Sequence, residues 1–424
     1  MKKTFSDFRS MLSGSLGNAM EWYDFAVYGY FAKVLAPLFF PTEDKTAALI
    51  SVFGVFAAGY VMRPIGALIF GRIGDKLGRK KALLLSVLVM IIATSLLGLL
   101  PTHASVGIMA PILLTILRLI QGISVGGEFT TSITFVSEMA PSNRRGFYTS
   151  WSTVSVIGGI LVGSAIGAIV ENVFTPEQIS AWGWRIPFLL SIVMGLGIYK
   201  LREKITESQA FIKNKESGHI PKHPMLIALK YHYKKMLLIF GLLWVFSVSF
   251  YMPFIYLPTY ENTEVGIALS KSLEINTIAL ILLLGLILIT GNLTDKIGRK
   301  KVLAIGIIGY LLFSYPMFLL ITSGNIFSVF IAVAAMAFIT SFLQGSIPAF
   351  LSESFDSNIR VSALSFSYNA ALAVFGGTTP LVATYLIQIT NNPMAPAWYL
   401  VVAAAVSLVC LFFLKETMGT KDSP

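Results

Sequence analysis

Apolar residues run along this chain in long blocks, broken by short polar turns that hold most of the charge. Twelve blocks are long enough to cross a hydrocarbon layer of about 30 Å as helices. They cover residues 12–38, 47–70, 82–100, 106–138, 148–171, 184–200, 236–258, 270–291, 302–322, 326–352, 361–388 and 395–414. The basic start, Met1 to Arg9, leads into the first block without a cleavage site, so that block is read as a retained span. The pattern predicts an all-α integral membrane protein of twelve transmembrane helices.

The turns repeat. Gly71-Arg-Ile-Gly-Asp-Lys-Leu-Gly-Arg-Lys-Lys81 returns, 220 residues later, as Gly291-Asn-Leu-Thr-Asp-Lys-Ile-Gly-Arg-Lys-Lys301. Ser137-Glu-Met-Ala-Pro-Ser-Asn-Arg-Arg145 is echoed at an offset of 215 by Ser352-Glu-Ser-Phe-Asp-Ser-Asn-Ile-Arg360. Two echoes at nearly one spacing indicate two similar halves. The division is a six-helix bundle over residues 1–200, a polar linker over 201–235 and a second six-helix bundle over 236–424. The linker is too charged to span, and it is expected to lie on the inner membrane surface, where its basic side chains meet anionic lipid.

Composition sharpens this picture. With 55% hydrophobic and 12% charged residues the chain is far more apolar than a soluble domain. The net charge of +11 belongs to the ends of apolar blocks, so it reads as an orientation signal rather than as a nucleic-acid surface. Placing the Arg72–Lys81 and Lys296–Lys301 clusters and the linker in the cytoplasm puts both termini there. The one cysteine, Cys410, allows no internal disulfide, and four scattered histidines make no metal site. Without a phosphate-binding glycine loop or a nucleophile elbow, an ATP-driven pump or an enzyme has no constellation in its favour. Asn292-Leu-Thr294 fits a glycosylation acceptor but falls in a cytoplasmic turn, which rules it out.

Gly17-Asn-Ala-Met-Glu-Trp-Tyr-Asp-Phe25, Arg63-Pro64, the Gly71–Lys81 turn, Arg118-Leu-Ile-Gln-Gly-Ile-Ser-Val-Gly-Gly-Glu128 and Trp182-Gly-Trp-Arg-Ile-Pro187 together resemble the major facilitator superfamily. Within it they are similar to the metabolite:proton symporters typified by bacterial proline/betaine, shikimate and 2-oxoglutarate transporters. The resemblance covers nearly the whole chain and implies two pseudo-symmetric six-helix bundles around one central site. It also implies a bacterial cytoplasmic (inner) membrane location and the proton as coupling ion, with no other cofactor. The expected partners are a small solute, protons and the lipid bilayer, with no nucleic acid, and the chain is expected to act as a monomer. Some relatives carry a long C-terminal coiled-coil extension that osmotic activation uses; the sequence given lacks it.

Charges inside apolar blocks are the candidates for chemistry, because each costs on the order of 2.5–3.5 kcal/mol at a helix centre. Glu21 and Asp24, three residues apart, share a helical face near mid-span. Arg118 lies at a matching depth in the fourth block, and the analogy with sugar–proton symporters supports pairing it with Asp24. A substrate carboxylate competing for Arg118 would free Asp24 to take a proton. Asp24, Glu128 and Glu21 are thus the candidate proton carriers. Arg118, Gln121, Tyr23, Trp151, Tyr251, Gln344 and Asn369 are the candidate substrate contacts, with Tyr28, Ser155, Trp244, Tyr256 and Tyr368 as further lining. Aromatic residues there would suit a quaternary ammonium. By analogy with the superfamily, Asp75, Arg79, Glu138, Arg145, Asp295, Arg299, Glu353 and Arg360 form a cytoplasmic gate. The expected function is proton-coupled import of a small zwitterion or carboxylate, with a proline/betaine-type osmolyte first. A dicarboxylate or shikimate-like solute is the nearest alternative, and an uncoupled facilitator is the mechanistic rival.

Overall fold

The computed structural model describes residues 18–77, 79–126, 128–203, 224–355 and 360–418. The start of the first block and linker residues 204–223 lie outside them. So do the side chains of Asp75, Arg79, Glu128, Glu138 and Arg360, which leaves half of the expected gate and one candidate carrier without a described position.

Among the described residues, helices fill all twelve blocks, and all twelve are named here in chain order. α1 covers 18–30 and continues as Ala32–Phe39. α2 covers Lys45–Val61 and Arg63–Leu77, α3 Arg79–Gly98, and α4 Met109–Ser124 with Glu128–Met139. α5 is Arg145–Val173 and α6 Arg185–Glu203, preceded by a wide π turn at Ile179–Gly183. In the second half α7 starts as Tyr233–Tyr251 and reaches Val265 through two π turns. α8 is Leu269–Ile297, α9 Arg299–Thr322 and α10 Ile326–Glu353. α11 is Arg360–Ala371 and Thr379–Thr390 around a π turn, and α12 is Ala395–Phe413. Among the described residues eight helices qualify as spans by length and hydropathy alone, or nine counting the bent pair at Pro176–Glu203. Arg79–Gly98 and Met109–Ser124 are apolar but shorter in their uncharged stretch.

Helices are the form such blocks must take, since in lipid every backbone N–H and C=O has to be paired within its own segment. Side chains such as Val193, Ile289, Phe327 and Phe412 stand outward and exposed, as a hydrocarbon solvent requires. Inside, the halves meet along several helix pairs, of which two are related by the repeat. α5 runs antiparallel to α8, with Gly146 beside Asp295 at one end, Ser164 beside Thr277 further along and Asn172 beside Glu274 at the other. α2 meets α11 in the same way. The repeat equates α2 with α8, so these two contacts are counterparts under the duplication.

Small residues set the depth of the site. A Cβ on Gly122 would lie 1.8 Å from the Gly59 carbonyl oxygen, and one on Gly126 would lie 2.0 Å from the Ala67 nitrogen. α2 and α4 therefore touch backbone to backbone, which brings Arg63 and Arg118 into one layer beside α1.

Candidate functional site

Asp24 on α1 and Arg118 on α4 form an ion pair of 3.2 Å, and both are 0% exposed. Arg118 also donates to Gln121 Oε1 (2.9 Å), whose amide in turn donates to Thr94 on α3 (2.9 Å). The guanidinium carbon lies 4.4 Å from the Phe25 ring centre and 4.3 Å from that of Tyr28. Two of its nitrogens, Nε and Nη2, and Asp24 Oδ1 are buried without a hydrogen-bond partner. A charge pair in this setting is held by one contact and ring faces, so any change in protonation or partner shifts its energy strongly.

One turn earlier on α1 stands a second pair that sequence reasoning missed as chemistry. Glu21 meets Arg63 of α2 at 2.9 Å, again almost fully buried. Arg63 lies over the Trp22, Phe25 and Tyr60 rings, and its Nε donates to Asn369 of α11 at 3.3 Å, across the boundary between the halves. Asn369 also donates to the Gly126 carbonyl of α4, a second bond across that boundary. The signal was present: Arg63 sits inside an apolar block just as Arg118 does. Although Glu21 and Asp24 share a face, each has its own arginine.

Between the halves is a cavity of ≈ 10 Å³, about the space of one water. Its walls include Trp22 and Thr153 from the first half and Ser247, Tyr251, Gln344 and Tyr368 from the second. Trp22 Nε1, Thr153 Oγ1 and Ser247 Oγ are buried without hydrogen-bond partners. Tyr251 donates to the Tyr60 hydroxyl (2.8 Å) from across the boundary. Of the other expected contacts, Tyr23 spends its hydroxyl on the Pro187 carbonyl (2.6 Å), Trp151 stands against Phe147, and Trp244 stacks on Phe375. Ser155 bonds its own helix and Tyr256 meets Thr384.

The described part of the expected gate is ordered by Asp295. Its two oxygens accept the Gly146 and Phe147 amides (both 2.8 Å), so a residue near the end of α8 caps the start of α5 in the other half. Arg299 pairs with Asp295 at 2.9 Å and with Glu353 at 3.0 Å. These ion pairs stay within the second half, and the links between halves among the described residues here include the helix cap and a Ser352–Ser137 hydroxyl contact of 3.0 Å. Arg145 begins α5 beside this cap. Glu416 of the C-terminal tail accepts the Arg299 and Lys300 amides, and Thr417 donates to Glu353.

The opposite end is shut as well. Asn276 of α8 donates to the Tyr30 hydroxyl (2.9 Å) and to Ser164 (3.1 Å), while Tyr30 donates to the Phe254 carbonyl (2.7 Å). Lys33 meets Asn262 nearby. α1, α5, α7 and α8 are thus tied mainly by amides and hydroxyls, with Lys33 and Glu274 as charged contributors, where the other end uses a carboxylate against a helix start.

The sugar (and other) transporter family matches the chain twice, over residues 11–220 and 200–421. A Staphylococcus aureus (strain COL) protein assigned as a proline/betaine transporter is 36% identical over 98% of this chain and 89% of its own length. OusA of Dickeya dadantii, a glycine betaine/proline/ectoine/pipecolic acid transporter, and the proline/betaine transporter of Escherichia coli K12 are each 34% identical over 96% of this chain and 83% of theirs. In fold, the chain is similar to the xylose transporter XylE of E. coli in a partially occluded inward-open conformation. That likeness has a TM-score of 0.77 at 19% identity and covers 98% of this chain and 99% of that one.

Proposed function

This chain belongs to the sugar (and other) transporter family of the major facilitator superfamily, and we propose that it imports a small zwitterionic osmolyte of the proline/betaine type together with a proton. It is a multi-pass membrane transporter with the superfamily's fold. The observation that carries coupling is the Asp24–Arg118 pair, sealed from solvent in the first half. An acid there bears a proton at low cost only when its guanidinium is otherwise engaged or shifted, so protonation and rearrangement of the halves become one event. One charge moving through roughly 150 mV supplies about 3.5 kcal/mol, enough for a few-hundredfold accumulation.

Aromatic walls and unpartnered donors around the cavity favour a solute with a cationic, apolar-coated end and a carboxylate. The names of the relatives point the same way. We place the Asp295 end at the cytoplasm, because the basic turns gather there, with both termini on that side of a bacterial inner membrane. Asp295, Arg299 and Glu353 then close the inner gate, and the protein works as a monomer with no cofactor beyond the proton.

Uptake of labelled proline, glycine betaine, 2-oxoglutarate and shikimate into proteoliposomes, with and without an imposed pH gradient, tests the proposal. Gradient-driven accumulation of proline or betaine is expected. Accumulation of only a dicarboxylate or shikimate overturns the substrate class, and equilibration that ignores the gradient overturns coupling.

A further inference from the structure

We infer that Arg63, rather than Arg118, receives the carboxylate of the transported solute, trading its bond to Asn369 for it as the halves part. The inference rests on the functional reading above. Arg63 stands over Trp22, and Trp22 is itself a wall of the cavity. Tyr368, another wall, is next to Asn369 in the chain. Arg118 is enclosed instead by Phe25, Tyr28 and Phe56, and none of these rings lines the cavity. Free donors do not separate the two, since Arg63 keeps Nη1 and Arg118 keeps Nε and Nη2 without a hydrogen bond; what separates them is the cavity walls and the bond from Arg63 Nε to Asn369.

The Asn369 bond is the informative one. Arg63 and Asn369 sit on α2 and α11, which belong to different halves, so any opening along that seam breaks it. Arg63 is then left with Nε unpaired in a desolvated setting, on the edge it shares with the Nη2 that faces Glu21, so a carboxylate oxygen that takes Nε gains a charge-assisted bond. In the shut conformation the neutral amide oxygen of Asn369 occupies the place where an anion's oxygen would be favoured more strongly. Cargo and Asn369 therefore alternate on one guanidinium. The amide lets the carrier close without cargo during its return, while Asp24–Arg118 is left to the proton.

Binding of labelled glycine betaine to the purified full-length protein, with choline as the same ammonium lacking a carboxylate, reads this directly. Arg63→Gln is expected to weaken betaine binding on the order of 10- to 100-fold and to change choline binding little. Arg63→Lys, which keeps the charge but loses the Nε donor, should fall between. Asn369→Ala gives a second readout through different chemistry: net uptake slows about tenfold while betaine–betaine exchange persists, because only the cargo-free return needs the amide. Betaine binding unchanged in Arg63→Gln, a betaine-over-choline preference that instead collapses in Arg118→Gln, or equal losses of exchange and net uptake in Asn369→Ala would each overturn the assignment alone. If the wild-type protein binds no carboxylate solute, the functional reading falls and takes this inference with it.

Discussion

Asp24 and Arg118 show how far a single-residue argument reaches. A charge in an apolar block has to find a partner or water, and matched depths on two spans pointed to each other; the 3.2 Å contact is that partner found. Arg63 obeys the same rule and was legible for the same reason, yet it reads in sequence as part of a motif beside Pro64. Its partner Asn369 was not legible, because a contact spanning 306 residues depends on the register of two helices from different halves. Asp24→Asn should abolish concentrative uptake but keep counterflow, measured in the same proteoliposomes; continued accumulation would exclude Asp24 as the proton carrier. Removing one member of a buried pair costs about 3–5 kcal/mol, whereas replacing both by apolar groups is often neutral. Asp24→Leu should therefore lower the thermal midpoint in detergent, and adding Arg118→Leu should restore most of it without restoring transport.

At the scale of the element, the long apolar blocks made the spans visible, and their internal breaks stayed hidden. α2 turns at Met62, just before Arg63-Pro64, α4 between its two segments, and α7 and α11 widen into π turns, all at sites that the block pattern passed over. Such breaks fall at Pro64, Gly126, Pro253 and Gly376-Gly377 and are shaped by packing against neighbours, neither of which a hydropathy block records. Gly122 and Gly126, four residues apart, mark a close helix contact from sequence alone, but not the helix they touch. Gly122→Val should force α2 from α4 and lose both folded yield and transport, because a backbone carbonyl at 1.8 Å cannot rotate away as a side chain can. The tail contact carries a pH signature. Burial alone would raise the Glu416 carboxyl, but the Met418, Lys300, Arg299 and Thr417 amides bind it and hold it below the usual range. Because its folded value is depressed, the tail's attachment is complete above the ordinary value of 4.5 and is lost as pH falls through the lower folded value. A spin label at Met418 should stay immobile at neutral pH and loosen only in stronger acid.

For the whole molecule, the telling property is that both ends are shut around a cavity no bigger than a water. A transporter must open each end in turn, so pinning either should stop it. Ser137→Cys with Ser352→Cys, and separately Ser164→Cys with Thr277→Cys, place thiols where hydroxyls now lie 3.0 and 2.9 Å apart. Oxidation of each pair should halt uptake and reduction should restore it; full transport by an oxidised pair would mean that end never parts. The duplication was legible from the repeated turns, but it does not extend to how the ends are fastened. One is fastened by a carboxylate against a helix start, the other largely by amides and hydroxyls. While shut, the Asp295 end is buried and barely screened, but once it parts its charges meet water, where dissolved electrolyte screens them and favours the open state more than it does for amides and hydroxyls. Raising ionic strength on the Asp295 side alone should speed release there, and the same salt on the far side should do little, so the protein would distinguish its two bathing solutions by conductivity as well as by proton content.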